Sequence, residues 1–149
     1  MNKNQFIYRK LEVSDLADVY EIRFSCTENI IHPHQIQYLL RETALKDIGQ
    51  GGGWMCLDGD VKVGFSMPIF APEPMLAALF VRPEYQRRGI GKKLMGLAIN
   101  WLKENKSESI ILETDPGSYA DEFYKRNGWE RGEMAEYGLQ VIYRLNPNK

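Results

Sequence analysis

The chain is poor in the groups that would commit it to several common roles. It has only two cysteines, Cys26 and Cys56, in 149 residues. That excludes a disulfide scaffold, and both sit among small or apolar neighbours, as buried reduced thiols do. It has no basic excess: nineteen Lys and Arg stand against twenty Asp and Glu, for a net charge of -1. That argues against a general nucleic-acid binder, which carries positive charge for the phosphates. It has no long apolar run. The longest clean one, Met75 to Val81, falls well short of the about 20 residues that span a bilayer, so no membrane partner is expected. Met1-Asn2-Lys3-Asn4-Gln5 has no secretory h-region, and the expected location is cytoplasmic. Histidine is scarce too. His32, His34 and Cys26 lack a fourth ligand at suitable spacing, so no metal is expected.

What is present is an ordinary globular composition, 44% apolar and 26% charged. The length fits one domain over residues 1–149, able to bury a core unaided. Phe6 to Leu11 alternates as a first strand. Ser14-Asp15 reads as the N-cap of a helix to about Ser25 with Leu16, Val19, Tyr20 and Phe24 as its stripe. Thr27 to His34 reads as a turn. Ile36, Leu39, Leu40 and Ala44 predict a second helix, and Lys46 to Gly53, rich in glycine, a mobile loop. Trp54–Leu57 and Val61–Ile69 flank Asp58-Gly59-Asp60, a hairpin signal because glycine readily supplies the positive φ of a tight turn.

Ala71-Pro72-Glu73-Pro74 breaks the chain before Met75–Val81, an apolar strand expected to be buried on both faces in mid-sheet. Gly89 opens a helix with Ile90, Leu94, Leu97, Ala98, Trp101 and Leu102 on one face. Ser109–Glu113 follows as a strand, and strand–helix–strand predicts a parallel crossover. Ser118-Tyr119-Ala120-Asp121 has capping-box spacing, and Asn127-Gly128 ends that helix. Trp129–Arg131 and Val141–Leu145 are the last strands. The class is α/β (α+β), a central mixed sheet flanked by about four helices.

The segment from Leu79 to Leu94 carries the chemistry. A buried strand leaves the sheet and two glycines, Gly89 and Gly91, sit where a helix begins. A helix N-terminus offers free N–H groups and the positive end of the macrodipole, a ready anion site. Arg87, Arg88, Lys92 and Lys93 add local positive charge, so an oligophosphate is the natural guest. Spacing rules out the common phosphate loops. Gly91-Lys92 is followed by Lys93 rather than Ser or Thr, and no glycine lies five positions before Gly91, so this is no Walker loop. Gly89-Ile90-Gly91-Lys92-Lys93-Leu94 ends in leucine and follows several strands, unlike a dinucleotide fingerprint.

Gln86, Gly89 and Gly91 match Gln/Arg-x-x-Gly-x-Gly/Ala, and the segment resembles motif A of the GNAT superfamily of N-acetyltransferases. The strand before it, Val81-Arg82-Pro83 at the strand end, and the amphipathic helix after it make the match specific. Downstream, Phe123-Tyr124-Lys125-Arg126-Asn127-Gly128-Trp129 resembles the family's Phe-Tyr-x-x-x-Gly-Phe segment. The resemblance implies a GNAT-like fold with a sheet splayed at its middle. It implies acetyl-CoA as co-substrate, its pyrophosphate on the loop Gln86, Arg87, Arg88, Gly89, Ile90, Gly91 and Lys92. Its pantetheine arm would pair with backbone groups of Phe80 and Val81, and Tyr124 would be the general acid toward the leaving thiolate. Many members carry an asparagine seven residues before that tyrosine; here it is Gly117, and the contact is absent or supplied by Ser118 or Tyr119.

The expected reaction is transfer of an acetyl group to a primary amine by direct attack in a ternary complex. The rivals are a non-catalytic acyl-CoA sensor of the same fold and, more remotely, a nucleotide enzyme. The general base stays open among Glu73, Glu113, Glu28, His32, His34 and a water chain. The acceptor, a small-molecule or peptide amine, is expected against the first two helices and the Thr27–His34 segment, with Arg23-Phe24-Ser25-Cys26-Thr27-Glu28-Asn29 as part of its wall and Glu28 and Asn29 as its candidate contacts. A homodimer through the last strands is compatible with this reading.

Overall fold

The computed structural model describes residues 5–70 and 73–148; Met1–Asn4 and the Ala71-Pro72 half of the expected chain break lie outside the described residues. The elements run β1 (Phe6–Lys10), α1 (Leu16–Ser25), α2 (Arg41–Gly49), β2 (Trp54–Asp58), β3 (Val61–Phe70), β4 (Pro74–Val81), α3 (Ile90–Glu104), β5 (Ile110–Thr114), α4 (Tyr119–Arg126), β6 (Glu130–Met134) and β7 (Val141–Leu145). The strands form one mixed sheet in the order β1-β2-β3-β4-β5-β7-β6, with β4 in its middle. The hairpins are antiparallel and β4–β5 is the parallel pair. Pro68, which has no N–H to donate, sits at the register shift of β3 against β4, where a ladder bond is already missing. Among the described residues no helix is long and apolar enough to cross a membrane.

Helices cover both faces. Val19 and Ile22 of α1 and Ile48 of α2 pack with Met55, Phe65, Met67, Ile69 and Ala78. On the other face Ile90 and Leu94 of α3 meet Cys56, Val63 and Val81. Further along α3, Met95, Ala98 and Leu102 meet Leu76, Ile110, Leu112, Val141 and Tyr143. Each buried aliphatic side chain contributes roughly 1.5–3 kcal/mol through removal from water.

Four local expectations change. The stripe of α1 is Val19 and Ile22, whereas Phe24 is 61% exposed. The second helix begins later, because Leu40 takes an extended ψ of 139 between a 3-10 turn, Pro33–Leu39, and α2. It also runs on to Gly49, held by Ala44 and Ile48, into what reads as loop from Lys46 onward. Of the glycines that follow, Gly51 is exposed, but Gly52 and Gly53 are packed: a Cβ on Gly52 would lie 2.4 Å from the Trp101 ring. Finally, Cys56 is buried, but Cys26 is only half-buried.

Asp15 precedes α1 without capping it through its side chain. Its carboxylate is fully buried. It accepts from Arg9 Nη1 and Nη2 at 2.8 and 2.9 Å and from Glu12 N–H at 2.8 Å, and it pairs with Lys62 Nζ at 2.9 Å. These bonds tie α1 to β1 and β3. The Arg9 guanidinium, with the Glu12 N–H and Lys62, outweighs burial and holds the carboxyl far below the usual carboxylate range. Asp15→Asn is expected to cost about 3 kcal/mol at neutral pH, because it removes the buried anion that Arg9 and Lys62 share and leaves them only Glu12 at 3.8 Å and Asp18 at 2.9 Å. A carboxyl whose folded-state pKa is depressed stabilises above its unfolded value near 3.9 and loses that contribution as pH falls. Urea titrations should therefore show the gap between parent and variant narrowing below about pH 5; a constant gap down to pH 3 would contradict this assignment.

Candidate active site

The sheet parts at its centre. β4 and β5 share one registered pair, Met75 with Ile111, and beyond it β4 has no paired strand on that side among the described residues. At this end Arg82 N–H donates to Val63 O at 2.8 Å, which turns the backbone groups of Arg82 and Phe80 toward β3. Successive residues of a strand point their polar groups to opposite edges, so Leu79 and Val81 present theirs to the opening. Val81 O accordingly accepts from Gln86 Nε2 at 2.9 Å and from Cys26 Sγ at 3.4 Å. β4 is therefore not sealed on both faces as its composition suggests: Leu79 and Phe80 are half-buried along the opening.

The opening is a cleft of about 630 Å³ whose lining includes Leu79, Phe80, Val81, Gln86, Arg87, Gly89, Gly91, Lys92 and Tyr124. At one end is the start of α3. Gly89 caps it at φ 83, and Arg87 also has positive φ, at 66. The first helical bond runs from Lys93 N–H to Gly89 O at 3.1 Å, leaving the N–H groups of Ile90, Gly91 and Lys92 without helical acceptors. The side chain of Ile90 is core, so only its backbone belongs to the site. Arg88 is outside the lining; it stacks 5.0 Å from the Tyr85 ring and donates to Glu84 O at 3.2 Å. A cation the motif did not flag takes its place. Arg126 lines the cleft, and Arg87 and Arg126 lie 5.8 and 5.6 Å from the Tyr119 ring.

The opposite wall is α4. Ser118 Oγ accepts from Asp121 N–H at 3.2 Å, one half of the expected capping box. In place of the reciprocal half, Asp121 reaches to Gly117 N–H, to Tyr143 Oη at 2.6 Å and to Arg131 Nε. Burial opposes its ionisation, but these partners prevail and hold its carboxyl at about 2. Asp121 thus fastens α4 to β6 and β7, and Tyr124, three residues on, falls on the same side. The Tyr124 ring packs on Trp129 and Tyr143. It is 6% exposed, and its hydroxyl has no hydrogen-bond partner among the described residues. Burial pushes its phenol well above the usual value. Gly117 stands at φ 81 and gives its N–H to Asp121, and Ser118 is spent on capping, so of the two proposed substitutes for the family asparagine Tyr119 alone reaches the cleft.

Glu28 and Asn29 also line the cleft, but one carboxylate oxygen of Glu28 and the amide oxygen of Asn29 are already engaged. Glu28 Oε1 accepts from Tyr119 N–H at 2.7 Å, and Asn29 Oδ1 from Thr114 Oγ1 and Asp115 N–H at 2.8 and 2.7 Å. They clamp the Thr27–His34 segment across the ends of β5 and α4. Of the base candidates, His32 Nε2 lies 2.8 Å from Asp115 Oδ1, and His34 stacks on His32 and Tyr137. Glu73 is exposed and lines neither cavity. Glu113 lines a second, smaller cavity that shares Leu79, Phe80 and Tyr124 with the cleft. Among the described residues no group of three or more His, Cys, Asp or Glu is arranged to hold a metal ion.

Comparison with known proteins agrees with this geometry. A family model for the acetyltransferase (GNAT) family matches residues 16–129. A curated relative, an uncharacterised ycf52-like N-acetyltransferase of Prochlorococcus marinus, is 39% identical over 49 residues, 33% of this chain; the match spans 26% of that relative's length. The PaiA N-acetyltransferase of Thermoplasma acidophilum, solved in complex with coenzyme A, superposes with a TM-score of 0.77 at 22% identity over 95% of this chain and 99% of that one. A GNAT-family acetyltransferase of Staphylococcus aureus gives 0.78 at 22% identity over 96% and 99%. At such identities the likeness to the solved structures is one of fold.

Proposed function

Because the chain belongs to the acetyltransferase (GNAT) family, we propose that it binds acetyl-CoA in the central cleft and transfers the acetyl group directly to a primary amine. The observation that carries this is the unpaired edge of β4, which runs into the free N-terminus of α3 and lines one cleft together with Tyr124. The N–H groups of Ile90, Gly91 and Lys92 hold the pyrophosphate, with Arg87, Arg126 and Lys92 supplying charge. The N–H of Val81 pairs with the pantetheine arm as an added strand would, its carbonyl being held by Gln86 and Cys26. The N–H of Leu79, nearer the apex of the split, polarises the thioester carbonyl and meets its developing negative charge.

The amine nitrogen attacks the acetyl carbon, the C–S bond breaks, and the proton lost by the amine ends on sulfur. Tyr124 hydrogen-bonds to the sulfur as charge builds there. A phenol raised above about 10 does not surrender its proton outright to a thiolate whose own pKa is near 8.5, so the hydroxyl acts chiefly as a donor in a desolvated site. Direct attack is favoured over an acyl-enzyme because burial pushes the Cys26 thiol of the cleft up, away from the nucleophilic thiolate.

Gly91 offers the cleaner test of the pyrophosphate site. A Cβ there meets only Phe123 and Val81 at 3.8 to 3.9 Å, whereas Gly89 has φ 83 and any replacement is strained. Gly91→Glu should fold normally yet bind acetyl-CoA roughly 100-fold more weakly, a loss of about 3 kcal/mol. Unchanged affinity by calorimetry would remove the site assignment.

Tyr124→Phe should keep acetyl-CoA affinity while kcat for thiol release falls about 100-fold, within the range for a positioned proton donor. In the parent, kcat/KM should rise with pH as the acceptor ammonium deprotonates, and show no fall near pH 10, because the phenol titrates higher. A descending limb centred near 10 would mean an ordinary, solvated tyrosine. Acetyl-CoA binding without thiol release from any amine would make the protein a sensor instead.

A further inference from the structure

The small cavity beyond the cleft holds a charge that the protein does not answer. Arg23, on the last turn of α1, is half-buried with its guanidinium 4.8 Å from the centre of the Phe80 ring. Its Nε is enclosed and has no hydrogen-bond partner among the described residues. No described carboxylate lies within 4.0 Å of it, unlike Arg9, Arg82, Arg131 and Arg144, each of which is paired. Burial pushes its pKa down. A guanidinium withdrawn from water and left unmatched is costly, and such groups persist where a ligand completes them.

The cavity is about 70 Å³, enough for a few atoms. Among the described residues Arg23 and Glu113 are its only charged lining residues, and they do not pair with each other. Its remaining polar wall includes Gln35 and Gln140, joined by a 2.8 Å hydrogen bond. Tyr124, Leu79 and Phe80 line both this cavity and the cleft, so its contents adjoin the proposed reacting atoms. A single planar guanidinium fork matches a carboxylate, and Glu113 supplies the counter-charge for an ammonium on the same molecule.

We propose that Arg23 binds a carboxylate of the acceptor, so that the amine acetylated here belongs to a small free amino acid. This rests on the transferase reading above and names its substrate class. A polyamine, or a lysine side chain within a protein, has no group for Arg23.

The test is a thiol-release assay with acetyl-CoA on α-, β- and γ-amino acids, each against its own carboxamide. The parent should prefer at least one acid over its amide by about 10- to 100-fold in kcat/KM, as expected for a charge-assisted hydrogen bond. Arg23→Met, which can still lie on Phe80, should erase that preference by raising KM for the acid. It should leave acetyl-CoA affinity and activity on the amide unchanged, and its melting temperature should be no lower than the parent's. Arg23→Lys, which keeps the charge without the fork, should fall between. A parent that favours amides, or an Arg23→Met that loses both activities equally, overturns the inference and leaves acetyl transfer intact. If no acceptor releases thiol, transfer is refuted, and a thermal-shift arm with CoA present decides the rest. Stabilisation by the acids, lost in Arg23→Met, supports the carboxylate site; no shift overturns it. A protein that binds no acetyl-CoA overturns both readings.

Discussion

Everything at the site depends on two central strands that start as neighbours and then separate. One registered pair, Met75 with Ile111, holds β4 to β5. Past that point a parallel ladder would seal the edge of β4, and no cleft would exist. The split is kept open by what is wedged against it. Phe123 and Tyr124 project from α4, which Asp121 fastens to β6 and β7. From the other side the Thr27–His34 segment is clamped by Glu28 and Asn29. A strand edge left without partners is a liability in most folds. Here it is short, recessed and bordered by cations, the conditions under which an edge serves a ligand instead of another sheet.

That arrangement explains which parts were legible in the sequence. The α3 loop, the Asp58-Gly59-Asp60 hairpin and the Ser118 cap are local: backbone chemistry within a few residues decides them, and the motif carried them. The faces of the helices are not local. Leu16, Val19, Tyr20 and Phe24 keep helical spacing, yet Ile22 is the residue fully buried and Phe24 points outward, because contact with Met55, Phe65 and Ala78 of distant strands selects the face. Leu40 fits the period of the second helix but breaks it. The apolar run of β4 predicts a fully covered strand, whereas its last residues line a cleft; hydrophobicity alone does not distinguish protein from ligand as the covering partner. Phe80 falls to the same ambiguity. The motif marks it, but strand alternation turns its backbone toward β3 and gives the opening to Leu79 and Val81.

Two side chains have roles that spacing does not assign. Asp15 looks like a helix cap and is the centre of an ion cluster joining three elements. Arg23 falls within the segment expected to wall the acceptor, but nothing in the sequence singles out its guanidinium there. Both sit at contacts between segments distant in the chain, where spacing says nothing.

These two residues also show how structure and site are distinguished on physical grounds. Each carries a charge taken largely out of water. At Asp15 the protein returns what hydration supplied, two cations and a backbone N–H, and the result is a rigid joint. At Arg23 it returns a ring face and no acceptor. The same contrast holds more widely: Asp121 and Asp15 are matched, while Arg87, Arg126 and Lys92 at the cleft have no ion-pair partner among the described residues. Exposed cations elsewhere, Lys46, Lys103 and Lys106 among them, are unpaired among these residues too, and water answers them as it does the exposed Arg87, Lys92 and Arg126. Arg23 differs in being enclosed, and an enclosed charge left unmatched lowers stability, which an anion bound there would relieve. The end proposed for an oligophosphate is legible in sequence because glycines mark it, whereas the unmatched charge of Arg23 appears only once the chain is folded.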